Sequence, residues 1–194
     1  YESLQTLAPR ELENVQVISL LGGIVQARRY NPSEFAWQVA RMVGADCYLL
    51  TAPAVVDSPE TKDTLIEKCG LRDVLRRAER LDLAILSVGT MAPDSTAFRF
   101  DFLSDEDRTS LIRLGAVGDI LFNFYDREGR LVDHPLNKRV MSIPIDQLRD
   151  VPKRMIASGG NEKVDSLLGA IRLVDCNVLI TNEATARELL IRKM

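Results

Sequence analysis

The chain has 194 residues, 46% of them hydrophobic and 27% charged, the balance of a globular protein long enough to bury a sizeable core. Its 25 basic and 28 acidic side chains leave a formal charge of −3. That excludes a general nucleic-acid clamp built on a basic face, and no polybasic segment is present for an anionic membrane. The longest apolar runs, at 83–88 and 178–180, are strand-length, so no transmembrane helix is expected. Cys47, Cys69 and Cys176 are far apart, form no C-x-x-C and stand beside a single histidine. Reduced thiols in a cytoplasmic protein are expected, with no structural zinc and no cofactor. No signal peptide opens the sequence, and residues 1–7 read as the back half of a helix, so a fragment lacking its front is expected.

Short β-branched runs alternate with amphipathic stretches, which predicts an α/β fold with a mostly parallel sheet. A strand at 15–21 ends at Gly22-Gly23. The helix after it runs from about 33 to 42, with Pro32 at its start and Phe35, Trp37, Val39, Ala40 and Val43 as apolar surface. A strand at 46–50 runs into Thr51-Ala52-Pro53, and Ser58-Pro59-Glu60 opens the next helix. A further helix sets Val74, Leu75 and Ala78 against Arg72, Arg76, Arg77 and Arg80, whose charges read as a solvated face. The apolar strand at 83–88 is expected to be central and covered on both faces. A helix at 105–114 leads to Gly115-Ala116-Val117-Gly118-Asp119, and the following ILFNFYD alternates as a strand. Residues 127–129 form a turn and 140–145 another strand, so part of this region is expected to pair antiparallel. A short helix at 146–150, a strand at 155–157, a helix at 162–173, a strand at 177–180 and a helix at 184–191 complete the series. Without repeat or linker, residues 1–194 read as a single domain.

In parallel sheets ligands gather at the carboxyl ends of the strands, where glycine permits close backbone approach and helix starts offer N–H groups. Four strand ends fit: Gly22-Gly23, Thr51-Ala52-Pro53, Gly89-Thr90 and Gly159-Gly160-Asn161. Each glycine pair alone is equally a tight turn. Lys163 in the first turn of a helix is unfavourable against the macrodipole unless an anion joins it, which suits phosphate; the alternative is a solvated lysine. Asp119 at a strand mouth either accepts sugar hydroxyls or caps a turn. Thr181-Asn182-Glu183 reads as a helix cap. His134 has no evident nucleophile or carboxylate partner in the sequence.

Taken together, the glycine pair after the first strand, GAVGDILFNFYDREG, ASGGNEKVDSLLGAIR and NVLITNEATARELL resemble the C-terminal sugar-binding domain of SorC/DeoR-type bacterial regulators of carbohydrate operons. The resemblance runs from about residue 15 to 190. It implies a Rossmann-like α/β fold with helices on both sheet faces, like that of phosphosugar isomerases and deaminases (NagB/RpiA/CoA transferase-like), used without catalysis. The implied partners are a phosphorylated sugar effector and operator DNA, the latter through a separate helix-turn-helix domain, in a homodimer or homotetramer with no membrane contact. Gly22 and Gly23 would then form one wall of the pocket, with Gln26 and Asn31 reaching the ligand. Asp119 would hold sugar hydroxyls, Lys163 would contact the phosphate, and Gly159, Gly160 and Asn161 would shape its loop. Two departures stand out. Asn182 replaces the family's usual Asp, and the earlier strand with its G-x-G-x-T phosphate turn is not in this sequence. An isomerase or deaminase on the same fold and a pure oligomerisation module are the competing readings. The first needs a second acid/base group beside Asp119.

Overall fold

The computed structural model describes residues 8–24, 31–98 and 103–193. The chain divides into two units, residues 1–80 with 139–143 and residues 81–138 with 144–194.

In the first unit, β1 (Gln16–Ile18) pairs in parallel with β2 (Asp46–Tyr48), and α1 (Pro32–Val43) makes the crossover. Pro32 sits in the first turn, where an N–H is dispensable. Asn31 caps that end from extended backbone. The helix buries Ala36 and Ala40, whereas Trp37, expected to add apolar surface, is 51% exposed. The helices α2 (Pro59–Lys68) and α3 (Leu71–Ala78) set Leu65, Ile66, Leu71, Val74 and Leu75 into a core with Leu50, Ala52, Val56 and Met141. The α3 arginines are exposed, and Arg77 lies 4.1 Å from the centre of the Tyr48 ring. The strand expected at 140–145 is absent. Val140 and Ser142 instead form isolated bridges to Val55 and Leu21. Met141 accepts from Gly22 N–H and donates to Ala54 O. Its neighbours are loop ends, which offer single bonds rather than a ladder.

In the second unit, β3 (Leu83–Leu86), β7 (Lys153–Ala157) and β8 (Val178–Ile180) form a parallel sheet in the order β3-β7-β8. The helix α7 (Val164–Leu173) joins β7 to β8 and buries Val164, Leu167, Leu168, Ala170 and Leu173. The expectation that β3 is central and covered on both faces is corrected. Among the described residues it pairs with β7 alone. Ala84 and Leu86 are buried, while Leu83 and Ile85 are 39% and 46% exposed. Alternating side chains take opposite faces of a strand, and an apolar run does not reveal which face is covered.

A small antiparallel sheet follows, β4 (Gly89–Thr90) with β5 (Gly118–Ile120) and β5 with β6 (Asn123–Tyr125). Two expectations change here. Gly89-Thr90 lies inside a strand, and the single strand expected over ILFNFYD is a hairpin. Its turn residues Leu121 and Phe122 both have left-handed backbones, at φ 51° and 59°. Such turns match strand twist but ordinarily select Asn-Gly, and each left-handed non-glycine residue costs about 1–2 kcal/mol. Side chains hold them. Phe122 N–H donates to Asp119 Oδ2 at 3.0 Å, and the Asn123 amide donates to the carbonyls of Ile120 and Leu121. The helices α4 (Asp105–Arg113), α5 (Pro135–Arg139), α6 (Ile145–Arg149) and α8 (Glu183–Lys193) complete the chain. Of these, α5 was not foreseen. Among the described residues no helix is long and apolar enough to cross a membrane.

Arg154 ties the base of the second sheet together. Its side chain, 13% exposed, donates to the carbonyls of Arg149, Val151 and Asp175 and to the Asp175 carboxylate. Removing it leaves several carbonyls without a partner. Arg154→Ala is expected to lose about 3 kcal/mol, a Tm drop of roughly 6–12 °C by calorimetry. Arg154→Lys should recover little, because an ammonium cannot reproduce the planar fork. A Tm equal to wild type would remove the guanidinium from the supports of this sheet.

Candidate functional site

The second unit gathers Asp119, Lys163 and the Gly159-Gly160-Asn161 loop. Asp119 lies on β5 opposite Gly89 of β4. A Cβ on Gly89 would collide with Asp119 Oδ1, so the missing side chain is the space that the carboxylate fills. Asp119 is 6% exposed, and burial pushes its pKa up from 3.8 to about 6, against the opposing pull of Phe122 N–H and the Lys163 ammonium. Of its two sequence readings, the turn cap is present in the hairpin. The same carboxylate is held at an energetic cost that capping alone does not require. A buried carboxyl whose pKa is raised in this way is a candidate functional group.

Lys163 closes a 3-10 turn (Asn161–Lys163) and stands immediately before α7, rather than inside the first turn of the expected longer helix. It is not a freely solvated lysine. Its half-buried ammonium donates to Val88 O at 3.2 Å and Ser158 Oγ at 3.3 Å. The loop before it lies on the start of α8. Ser158 N–H donates to Ile180 O, and a Cβ on Gly159 would fall 2.8 Å from Asn182 Nδ2. Gly160 N–H donates to Thr185 Oγ1 at 2.9 Å. Asn182 caps α8 through Thr185 N–H, as its sequence context predicted. Gly160 adopts φ 125°, open to glycine and strained for other residues.

The remaining predicted residues lie in the first unit. Gly22 is required by close packing, since a Cβ there would meet Ala52 O at 2.6 Å and Pro53 O at 2.8 Å. Gly23 lines a cavity of about 330 Å³ together with Ile24, Ser33, Leu50, Thr51, Ala52 and Pro53. Asn31 spends its amide locally, accepting from Ser33 N–H and donating to Ile24 O. Gln26 lies outside the described residues. Gly89 and Thr51 were marked in the sequence only as strand ends, with no role given to either. Sequence reasoning missed Ser33, Ser158 and Thr185 as site residues, although the last two lie inside the quoted motifs.

His134 is buried, and the structure supplies the partners that the sequence hid. Nε2 lies 2.7 Å from Ser110 Oγ, and Nδ1 accepts from Leu136 N–H. Because Nδ1 accepts, the neutral ring carries its proton on Nε2 and donates to the serine. That is the wrong tautomer for a base activating Ser110, whose hydroxyl donates to Asp107 O. The pair therefore fastens α4 to the start of α5. Among the described residues no three metal-ligating side chains cluster.

Residues 2–191 match the family described as "Putative sugar-binding domain". The chain belongs to this sugar-binding domain family. It is 28% identical over 190 residues to the deoxyribonucleoside regulator of Bacillus subtilis, covering 97% of this chain and 60% of that one. The crystal structure of the full-length sorbitol operon regulator SorC from Klebsiella pneumoniae matches at a TM-score of 0.87 and 25% identity, covering 96% of this chain and 62% of that one. A DeoR family transcriptional regulator from Listeria monocytogenes matches at 0.88 and 21% identity, covering 96% and 73%, and carries the fold alone. The sugar-binding domain spans between 45% and 60% of the first curated relatives it matches. The Rossmann-like α/β fold is that of SorC/DeoR-type domains. These relatives are transcriptional regulators, not enzymes, so the isomerase or deaminase reading gains no support.

Proposed function

We propose that this domain is the effector-sensing part of a cytoplasmic regulator of a carbohydrate operon, and that its effector is a phosphorylated sugar. The single observation that carries the reading is the pairing, in one unit, of a buried carboxylate with a half-buried ammonium on a glycine loop. Asp119 suits sugar hydroxyls and Lys163 suits a phosphate. Gly159, Gly160 and Asn161 would shape the phosphate loop, and Gly22, Gly23, Gln26 and Asn31 remain proposed ligand-side residues. The family match runs through both units, which supports treating residues 1–194 as one effector domain. Operator DNA would be gripped by a separate helix-turn-helix, in a homodimer or homotetramer. Effector would act by binding two arrangements of that assembly with different affinity, a coupling of about 1–3 kcal/mol.

A thermal-shift screen against phosphorylated and unphosphorylated pentoses, hexoses and hexitols tests this. Ligand at a hundred times its Kd adds about 2.7 kcal/mol, a rise of roughly 5–11 °C at this chain length. Lys163→Ala is expected to weaken the active phosphosugar by about 10- to 100-fold, the worth of a charge-assisted contact. A response to the unphosphorylated sugar alone would overturn the phosphate assignment. Silence across the whole screen would overturn the pocket.

A further inference from the structure

We propose that Thr185 is a positioning residue of the ligand site: its side-chain oxygen pins the 158–161 loop to the first turn of α8 and thereby sets where Lys163 stands relative to Asp119. The inference rests on the reading of Lys163 and Asp119 as ligand groups, but its geometry is independent of any ligand.

Thr185 is wholly buried, yet it lies in a helix start whose neighbours Asn182, Glu183 and Ala184 are exposed. A buried hydroxyl needs a partner, and Gly160 N–H supplies one at 2.9 Å. The other side of the same residue is held as well, because Gly160 O accepts from Lys163 N–H at 3.0 Å. The peptide groups flanking Gly160 are thus clamped between α8 and the lysine itself. At φ 125° this residue has wide conformational freedom, so the two bonds, not steric restriction, select its conformation. Thr185 is fixed in turn by Asn182, whose Oδ1 accepts Thr185 N–H. Downstream, the turn ends at Lys163 with its ammonium on Val88 O and Ser158 Oγ, on the side from which it acts on Asp119. Remove the Thr185 oxygen and the part-buried Gly160 N–H loses its acceptor. The loop then relaxes, and the lysine moves with it.

The test compares Thr185→Val, which keeps shape and loses the acceptor, with Thr185→Ser, which keeps the acceptor, in the intact protein. Three readouts are taken: amide exchange at Gly160, the NMR titration of the Asp119 carboxyl, and calorimetric titration with inorganic phosphate and sorbitol 6-phosphate. In Thr185→Val, Gly160 exchange should accelerate about tenfold or more, and the sugar phosphate should bind about fivefold more weakly, the worth of one hydrogen bond. The Asp119 midpoint should rise above about 6 as the Lys163 ammonium withdraws; the other titratable group coupled to it, Tyr125 on β6, is unchanged by the substitution. Thr185→Ser should restore all three. Should Thr185→Val fail to fold, Thr185→Ala takes its place. Wild-type exchange and titration in the valine or alanine variant would overturn the proposal, as would faster exchange with unchanged binding of a sugar phosphate that wild type binds. If wild type binds neither probe, exchange and titration still decide whether Thr185 holds the lysine, and the phosphosugar reading is decided separately by the thermal-shift screen.

Discussion

Gly118→Ala is expected to destabilise the protein by about 3 kcal/mol or more, lowering Tm by roughly 6–12 °C. A Cβ at this position would sit 2.6 Å from Gly89 O, 2.7 Å from Ser166 Cβ and 2.8 Å from Ser166 Oγ. One obstacle is the backbone of β4 and the other is the body of α7, so neither can swing aside as a flexible side-chain tip would. Ser166 is itself fixed, donating to Val117 O and accepting Tyr125 O–H at its own carbonyl. The sheet must therefore part from the helix, and Asp119 moves with it. Gly115, three residues earlier in the same motif, is the control. It has φ +86°, and a Cβ added there would meet nothing within 4 Å, so Gly115→Ala should cost only the left-handed penalty of about 1–2 kcal/mol. Equal losses for both variants in a denaturation series would show that the close approach at 118 is not what demands glycine.

Asp119→Asn is expected to stabilise the ligand-free protein at neutral pH and to abolish most of its affinity for effector. The sign follows from the folded-state pKa. Burial first, offset by Phe122 N–H and Lys163, raises it from 3.8 to about 6. A raised carboxyl pKa means that the fold favours the protonated form. Its contribution to stability is complete below about pH 4 and is lost as pH rises through about 6. The loss is up to about 3 kcal/mol. An amide carries no such charge and still offers an oxygen to Phe122 N–H, so the variant should melt higher than wild type at pH 7.5 and lack this component of pH dependence. Effector binding runs the other way. If the carboxylate accepts sugar hydroxyls, affinity in wild type should rise with pH through about 6 and level off above it, and proton release should accompany binding below that point. Asp119→Asn binding as tightly as wild type at pH 7.5 would remove the carboxylate from the ligand site. Stability surrendered for a charge poised in a site is the trade expected where function outweighs folding.

Much of this molecule was readable residue by residue. The alternation of apolar strands with capped amphipathic helices predicted the α/β class, and Pro32, Ser58 and Asn182 marked helix starts that the structure keeps. Local rules suffice there, because a cap or a first-turn proline acts within three or four residues. Asp119 and Lys163 were also legible, since a carboxylate after a glycine turn and a lysine after GGN are unusual enough to notice. The hairpin at Leu121-Phe122 was not. Two apolar residues carry no turn signal, and the bonds that hold them come from Asp119 and Asn123.

The sequence by itself determined the fold class, most of the helices and parallel strands and the chemical types offered to a ligand, because periodicity and capping are properties of neighbours along the chain, and its motifs pointed to the family. Only the tertiary structure decided which face of β3 is covered, that Gly89 makes room for Asp119, that His134 is tied to Ser110, and that Thr185 holds the loop carrying Lys163. Each of these depends on strand register or on contacts between residues far apart in sequence. A one-residue slip in register would reverse every one of the strand side chains involved, and nothing local in the sequence encodes that choice.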